Sequence, residues 1–291
     1  MESADGAATT PGIEGFMVRD GKILFVINGV GPGGAERSLI ETVPRLNALG
    51  FQTEVVCLGN VWGDRFLDAA RDEGLDVRVL TSTSWVGRMI ELWRIIRNER
   101  PSIVHTTLFH SDIIGRFAAI GSGAKVVGTL ANASYDPVRV ADPNVQKWRL
   151  DAVRILDGWT ARHLSDYFHA LTHAVAQASV RDLHIDPARI VVISRGRGRA
   201  RLGFPSLDRR RAQRLRLQLD EEAEVVINVG RQEYQKGQRF LIEAAALLAP
   251  SRPNLVVLIV GREGNATDGL RASVKQQGLG DVVQFLGHRD D

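Results

Sequence analysis

The chain has 291 residues, 44% of them hydrophobic and 24% charged. That balance fits a soluble globular protein of about two domains and excludes a disordered, collagen-like or disulfide-stapled chain. Lys plus Arg is 37 against 34 for Asp plus Glu, so the formal net charge is only +3. Nine arginines fall between Arg195 and Arg216 against one acid, Asp208, so the basic character is local. That pattern does not describe a nucleic-acid binder. The single cysteine, Cys57, reads as a small buried hydrophobe in a reducing, cytoplasmic compartment. The longest aliphatic run, 255–260, is too short to cross a bilayer.

Residues 1–20 are small, polar and acidic and are expected to be a disordered tail, with Met17 an alternative start. They have no apolar core of the signal-peptide kind. Strands and helices then alternate. Strands are expected at 23–27, 54–58, 77–80, 103–106, 126–129, 167–171 and 190–193. The helices between them include one with Leu39, Ile40, Val43, Leu46 and Leu49 on one face. Another carries Val86, Met89, Ile90, Trp93 and Ile96, and a long one covers about 146–164 after a loop at 131–144. Short apolar strands alternating with helices predict an α/β protein with parallel sheets covered on both faces. The Gly- and Arg-rich stretch 196–206 breaks the pattern and reads as a linker. A second series follows, with strands at 225–229, 255–260 and 282–286. The expected organisation is a tail at 1–20, a first domain at 21–195, a linker at 196–206 and a partial second domain at 207–291.

Two glycine turns could meet a phosphate. The first, Gly29 to Gly34, links a strand to a helix and formally fits G-x-G-x-x-G. Its helix start offers free N–H groups. A dinucleotide site would also need an acid at the end of the second strand. Glu54 stands early in that strand, so NAD binding is the weaker reading. The second turn is Gly230-Arg231-Gln232-Glu233-Tyr234-Gln235-Lys236-Gly237. A guanidinium fork and a mobile ammonium beside a strand end and a helix start suit a diphosphate. His105 ends an apolar strand and either lines a site or packs in the core. His105 and His110 have no metal-site spacing and no acidic or thiol partners, so no metal is expected. The arginine run reads first as a solvated linker and helix face, and is compatible with an anionic membrane surface.

Together these segments resemble retaining glycosyltransferases of the GT-B fold, specifically glycosyltransferase family 4. Gly33-Gly34-Ala35-Glu36-Arg37 is similar to the family's glycine loop. Arg100-Pro101-Ser102-Ile103-Val104-His105 is similar to its Arg-Pro-Asp strand ending in histidine. Ala188-Arg189-Ile190-Val191-Val192-Ile193 resembles the strand before the linker. Val229-Gly230-Arg231 with Lys236-Gly237 resembles the donor-phosphate motif, and Phe285-Leu286-Gly287 a later strand end. The likeness runs from about residue 22 to 291.

The resemblance implies two Rossmann-like domains facing a cleft, with the second domain cut short. The implied activity moves a sugar from a UDP- or GDP-type nucleotide-sugar to a glycan, lipid or small-molecule acceptor, without a cofactor. Arg231 and Lys236 would carry catalysis by stabilising the leaving diphosphate. Gly33, Gly34, Gly230, Gly261, Arg262, Glu263, Gly287 and His288 would bind the donor. His105 and Asn132 would lie on the acceptor side. The family's histidine after the fifth strand is replaced by Ala131, and the usual Pro-Asn-Gly of the linker by Ser194-Arg195-Gly196. The chain stops before the paired glutamates of the second domain, so weak or no turnover is expected of it as written. The alternative is a non-catalytic binding module. A cytoplasmic protein of polysaccharide biosynthesis, peripheral at most to the inner membrane face, completes the expectation.

Overall fold

The structure, a computed structural model, describes residues 21–196, 198 and 203–289. The expected tail, Met17 and most of the expected linker lie outside the described residues. The chain divides into two compact units. One comprises residues up to Ala133 together with Ile155–Gly196. The other comprises Ser134–Arg154 and the residues after Gly196.

In the first unit the order is β1 (Lys22–Ile27), α1 (Gly34–Ala48), β2 (Gln52–Cys57), α2 (Asp64–Asp72), β3 (Val77–Val79), α3 (Trp85–Glu99), β4 (Ile103–Thr107), α4 (Phe109–Ala118) and β5 (Lys125–Leu130). After the excursion described below come β6 (Tyr167–Ala170), α7 (His173–Leu183) and β7 (Ile190–Val192). The seven strands are parallel, in the order β3-β2-β1-β4-β5-β6-β7. β1 sits inside the sheet and shows why its sequence is one apolar run. Ile23, Phe25 and Ile27 pack on one face with Leu39, Ile40 and Val43 of α1. Leu24 and Val26 pack on the other with Leu92 and Ile96 of α3 and Ile114 of α4. Alternate side chains leave opposite faces of a strand, so a strand covered twice must be apolar throughout.

Two of the buried charges, Glu54 and Arg116, are the most deeply enclosed. Glu54, on β2 and 1% exposed, pairs with Lys22 at 2.5 Å and Arg78 at 2.7 Å, and both cations also reach Glu99. Arg116 of α4, 2% exposed, pairs with Asp157 at 2.6 Å and donates to the Thr160 hydroxyl at 2.9 Å. The Arg189 guanidinium donates to the carbonyls of Asp166, Arg162 and Ser165, where the preceding long helix ends. That bonding accounts for an arginine just before β7. Cys57 is buried, and burial pushes its thiol up to about 12.

The second unit includes α5 (Pro137–Val140) and the start of α6 (Lys147–Leu164), and then α8 (Leu207–Arg216), β8 (Glu224–Val229), α9 (Gln238–Leu248), β9 (Leu255–Val260), α10 (Thr267–Gln276) and β10 (Val283–Gly287). Its three strands are parallel, in the order β10-β9-β8. The core is formed by Ile242 and Ala245 of α9, Val257 and Ile259 of β9, and Leu270 and Val274 of α10.

Two differences from the sequence expectation stand out. Residues 134–154 group with the second unit, although the chain order suggested the first domain. Arg139 donates to Gln235 Oε1 at 3.4 Å, and Asn265 donates to the buried Asp142 at 3.3 Å. The apolar set expected on α3 does not form one core face. Leu92, Ile95 and Ile96 are buried, whereas Val86, Ile90 and Trp93 are 54%, 41% and 42% exposed. No helix among the described residues is long and apolar enough to cross a membrane.

Candidate functional site

In the first unit, chemistry-bearing residues gather where the parallel strands end. Beyond β1 the glycine turn is closely packed. A Cβ on Gly31 would strike the Trp62 ring, and one on Gly33 the Glu36 carboxylate. Gly33 caps α1 with extended backbone and no side-chain hydrogen bond. Glu36 is itself largely buried, so the narrow space at Gly33 belongs to the protein's own carboxylate. A Cβ on Gly34 would meet nothing within 4 Å, and its carbonyl accepts from Arg195 at 3.2 Å.

His105 lies opposite Phe25 across the β1–β4 ladder, with ring centroids 5.0 Å apart, and 6.4 Å from the ring of His169. Burial, with the nearby His169 and Arg195 adding to it, lowers its pKa to about 3. It is therefore a neutral imidazole at physiological pH. Its Nε2 is 3.4 Å from the Thr129 hydroxyl, which is 3.1 Å from that of Thr107. Asn132 is exposed on the loop after β5. Thr107, Thr129, His169 and Arg195 join this group, and sequence reasoning missed them. Three are ordinary strand residues, and only the register brings them beside His105. Leu108, directly after β4, has φ 79°, a conformation rare for any residue but glycine.

Below the strand ends, burial pushes the Asp112 carboxyl up to about 7, against the opposing pull of Arg116. Glu54 is confined to its ion pairs inside the sheet, and β2 ends at Cys57. The acid that a dinucleotide site would require at that strand end is therefore not Glu54.

In the second unit, the ends of β8, β9 and β10 bring Gly230, Arg231, Lys236, Gly261, Arg262, Glu263 and Gly287 into neighbouring loops. A Cβ on Gly261, whose φ is +142°, would strike the Gly230 carbonyl. A Cβ on Gly264 would lie 2.6 Å from the Gln232 carbonyl. The Gly261 amide donates to the Gly287 carbonyl at 2.8 Å, where β10 shifts register. These glycines are required for backbone-to-backbone contact between the loops.

Arg231 is 54% exposed at its side chain and lies 3.5 Å from Glu233. Lys236 closes a short 3₁₀ turn (Tyr234–Lys236), and Gly237, with φ 69°, starts α9. The Lys236 side chain is exposed and forms no ion pair with any described residue. The turn is pinned by the Tyr234 amide donating to Asn265 Oδ1 at 3.1 Å. Glu263 pairs with Arg271 at 2.7 Å, so its carboxylate is already engaged. His288 is exposed just beyond β10. The arrangement offers two cations on one glycine-flanked turn, next to a helix start. That can hold a diphosphate.

Both units are parallel α/β layers with their candidate site residues at the carboxyl ends of the strands. They are Rossmann-like units of the GT-B glycosyltransferase class. The family comparison agrees. Residues 33–196 match the glycosyl transferase 4-like domain and residues 209–291 match the glycosyl transferases group 1 domain. The chain belongs to this glycosyl transferase family.

Among its relatives is a D-inositol 3-phosphate glycosyltransferase of Streptomyces scabiei, 27% identical over 232 residues, covering 76% of this chain and 51% of the relative. Another is the UDP-Gal:alpha-D-GlcNAc-diphosphoundecaprenol alpha-1,3-galactosyltransferase of Escherichia coli, 26% identical, covering 70% of this chain and 51% of the relative. The chain thus spans about half the length of these relatives. The structure of Anabaena HepE in complex with UDP and glucose superimposes with a TM-score of 0.73 at 20% identity, covering 92% of this chain and 70% of that one. That likeness concerns the fold.

Proposed function

We propose that the chain takes part in moving a sugar from a nucleotide-sugar donor, of UDP or GDP type, to a glycan, lipid or small-molecule acceptor. The observation that carries this reading is the pair Arg231 and Lys236 on one exposed turn at the end of β8. Negative charge builds on the diphosphate as the sugar bond breaks. A planar guanidinium and a mobile ammonium held beside it stabilise that charge in the transition state. Gly230 and Gly287, where a Cβ would meet nothing within 4 Å, leave room for a phosphate to approach, and Gly261, Gly33 and Gly34 are assigned to the donor as well. Arg262, Glu263 and His288 border the nucleotide in this reading. His105, as a neutral imidazole, and Asn132 contact the acceptor. The UDP complexes of HepE favour UDP as the first nucleotide to test.

The test is release of nucleoside diphosphate from a panel of UDP- and GDP-sugars with candidate acceptors. Lys236→Ala is expected to lower turnover at least ~100-fold, the effect of removing one charge-stabilising donor. Unchanged turnover in that variant would end the assigned role of Lys236. The second reading is a non-catalytic transferase-like module that binds a partner or polymer. It predicts no sugar transfer, and it gains if UDP causes no change near Arg231.

A cytoplasmic place in polysaccharide biosynthesis is part of the proposal, supported by the lone buried Cys57. Peripheral contact with an anionic bilayer would use α8, where Arg209, Arg210, Arg211, Arg214 and Arg216 stand on a helix with no buried residue. Sedimentation with phosphatidylglycerol vesicles should then weaken when three of these arginines become glutamate. Equal sedimentation of both proteins would remove that contact.

A further inference from the structure

Two buried glutamines flank Arg231, and the reading above gives them no role. Gln238, the first residue of α9, is 2% exposed, and Gln232 is fully buried. The Gln238 side-chain amide lies 3.1 Å from Asn228 Oδ1, 3.4 Å from the Gly230 carbonyl and 3.2 Å from the Arg231 carbonyl. The Gln232 amide lies 3.4 Å from the Gly261 carbonyl. In both side chains Oε1 is buried with no hydrogen-bond partner among the described residues. A buried acceptor without a partner is costly, and a leucine of similar size would carry none. Stability alone therefore does not call for glutamine at 238. What the amide supplies is an NH2 group, two N–H donors on one nitrogen, facing three oxygens.

Those oxygens matter to an anion. Carbonyl lone pairs repel a diphosphate, whereas N–H groups and cations attract it. A Gly230–Arg231 turn free to swing its carbonyls outward would cancel part of the field of Arg231 and Lys236. We propose that Gln238 is a positioning residue. Its amide holds the Asn228, Gly230 and Arg231 oxygens inward, so that the turn presents N–H groups and positive charge to the diphosphate of a nucleoside diphosphate. This rests on the donor reading above and names the residue that makes the turn selective for an anion.

The test compares the wild-type chain with Gln238→Leu and Gln238→Glu, using two readouts. The first is amide hydrogen exchange in the unliganded protein. In Gln238→Leu, residues 230–236 should exchange about tenfold faster, the effect of losing one buried donor, while β9 keeps its protection. The second is calorimetric binding of UDP. The Leu variant should bind about tenfold more weakly. The Glu variant should be equally weak at pH 8 and recover towards wild type at pH 5, where a protonated carboxyl again donates. A packing role would show no such recovery. Unchanged exchange in the Leu variant, or a Glu variant whose affinity relative to wild type ignores pH, would overturn the proposal. If the Leu variant fails to fold, the Glu variant alone decides, through its exchange and its pH response. Absence of UDP binding by the wild-type chain would end the donor reading, and the exchange data would still decide whether Gln238 clamps the turn.

Discussion

The two units open with the same arrangement, β3-β2-β1 in one and β10-β9-β8 in the other, yet the first strand of each fares differently. In β1 five of six residues are buried, whereas in β8 none is. β1 has β4 on its free side and helices on both faces. Among the described residues β8 is an edge of its sheet, with Ile227 59% and Val229 75% exposed. An apolar strand is thus a statement about covering elements, and the same motif is core or surface depending on whether a fourth strand pairs with it. The turns that follow also differ. The first is filled by the protein's own Trp62 and Glu36, and the second exposes Arg231 and Lys236. In the proposed reading, the attraction for a diphosphate therefore lies in the second unit.

The largest effect should separate the two strands. Val26→Asp places an unpaired carboxylate among side chains that are almost wholly buried and should cost on the order of 4 kcal/mol in a denaturant melt. Ile227→Asp on β8 should change stability by about 0.5 kcal/mol or less, since that side chain is already in solvent. Equal costs would contradict the contrast between β1 and β8.

A smaller effect separates the turns. Gly261→Ala forces a Cβ against the Gly230 carbonyl at positive φ and should lower stability by about 2 kcal/mol. Gly34→Ala, at the open start of α1, should raise stability by about 0.5 kcal/mol. Thermal melts of both variants read the difference, and a Gly261→Ala protein as stable as the parent would remove the close loop contact.

The first unit also carries pH effects. Asp112 titrates near 7 in the folded chain and near 3.8 when unfolded, so between those values the folded state holds the extra proton. Its contribution is fully present below about 4 and is lost as pH rises through about 7. Asp112→Asn should therefore flatten the fall in melting temperature over that window. His105, with its pKa lowered to about 3, should show no imidazole titration by NMR from pH 8 to pH 5. A midpoint near 6.5 would place it in solvent.

Much of this was legible in the sequence. The seven strands of the first sheet announce themselves because buried parallel strands are short, apolar and bounded by turn residues. Arg231 and Lys236 are visible because charge beside glycine at a strand end is unusual. Besides the neighbours of His105, three things are not visible. The face of α3 was misjudged, because Val86, Ile90 and Trp93 fit helical spacing but point away from the core. The grouping of residues 134–154 depends on hydrogen bonds to Gln235 and Asn265, more than ninety positions away. Gln238 carries neither charge nor periodicity, so only its three oxygen partners reveal it.

The most direct measurement is a titration of the labelled chain with UDP, followed residue by residue through its backbone amides. The account predicts shifts centred on residues 230–237 and 261–266 that disappear in Arg231→Ala and Lys236→Ala. Shifts confined to the turn at 29–34, or undiminished in both variants, would contradict it.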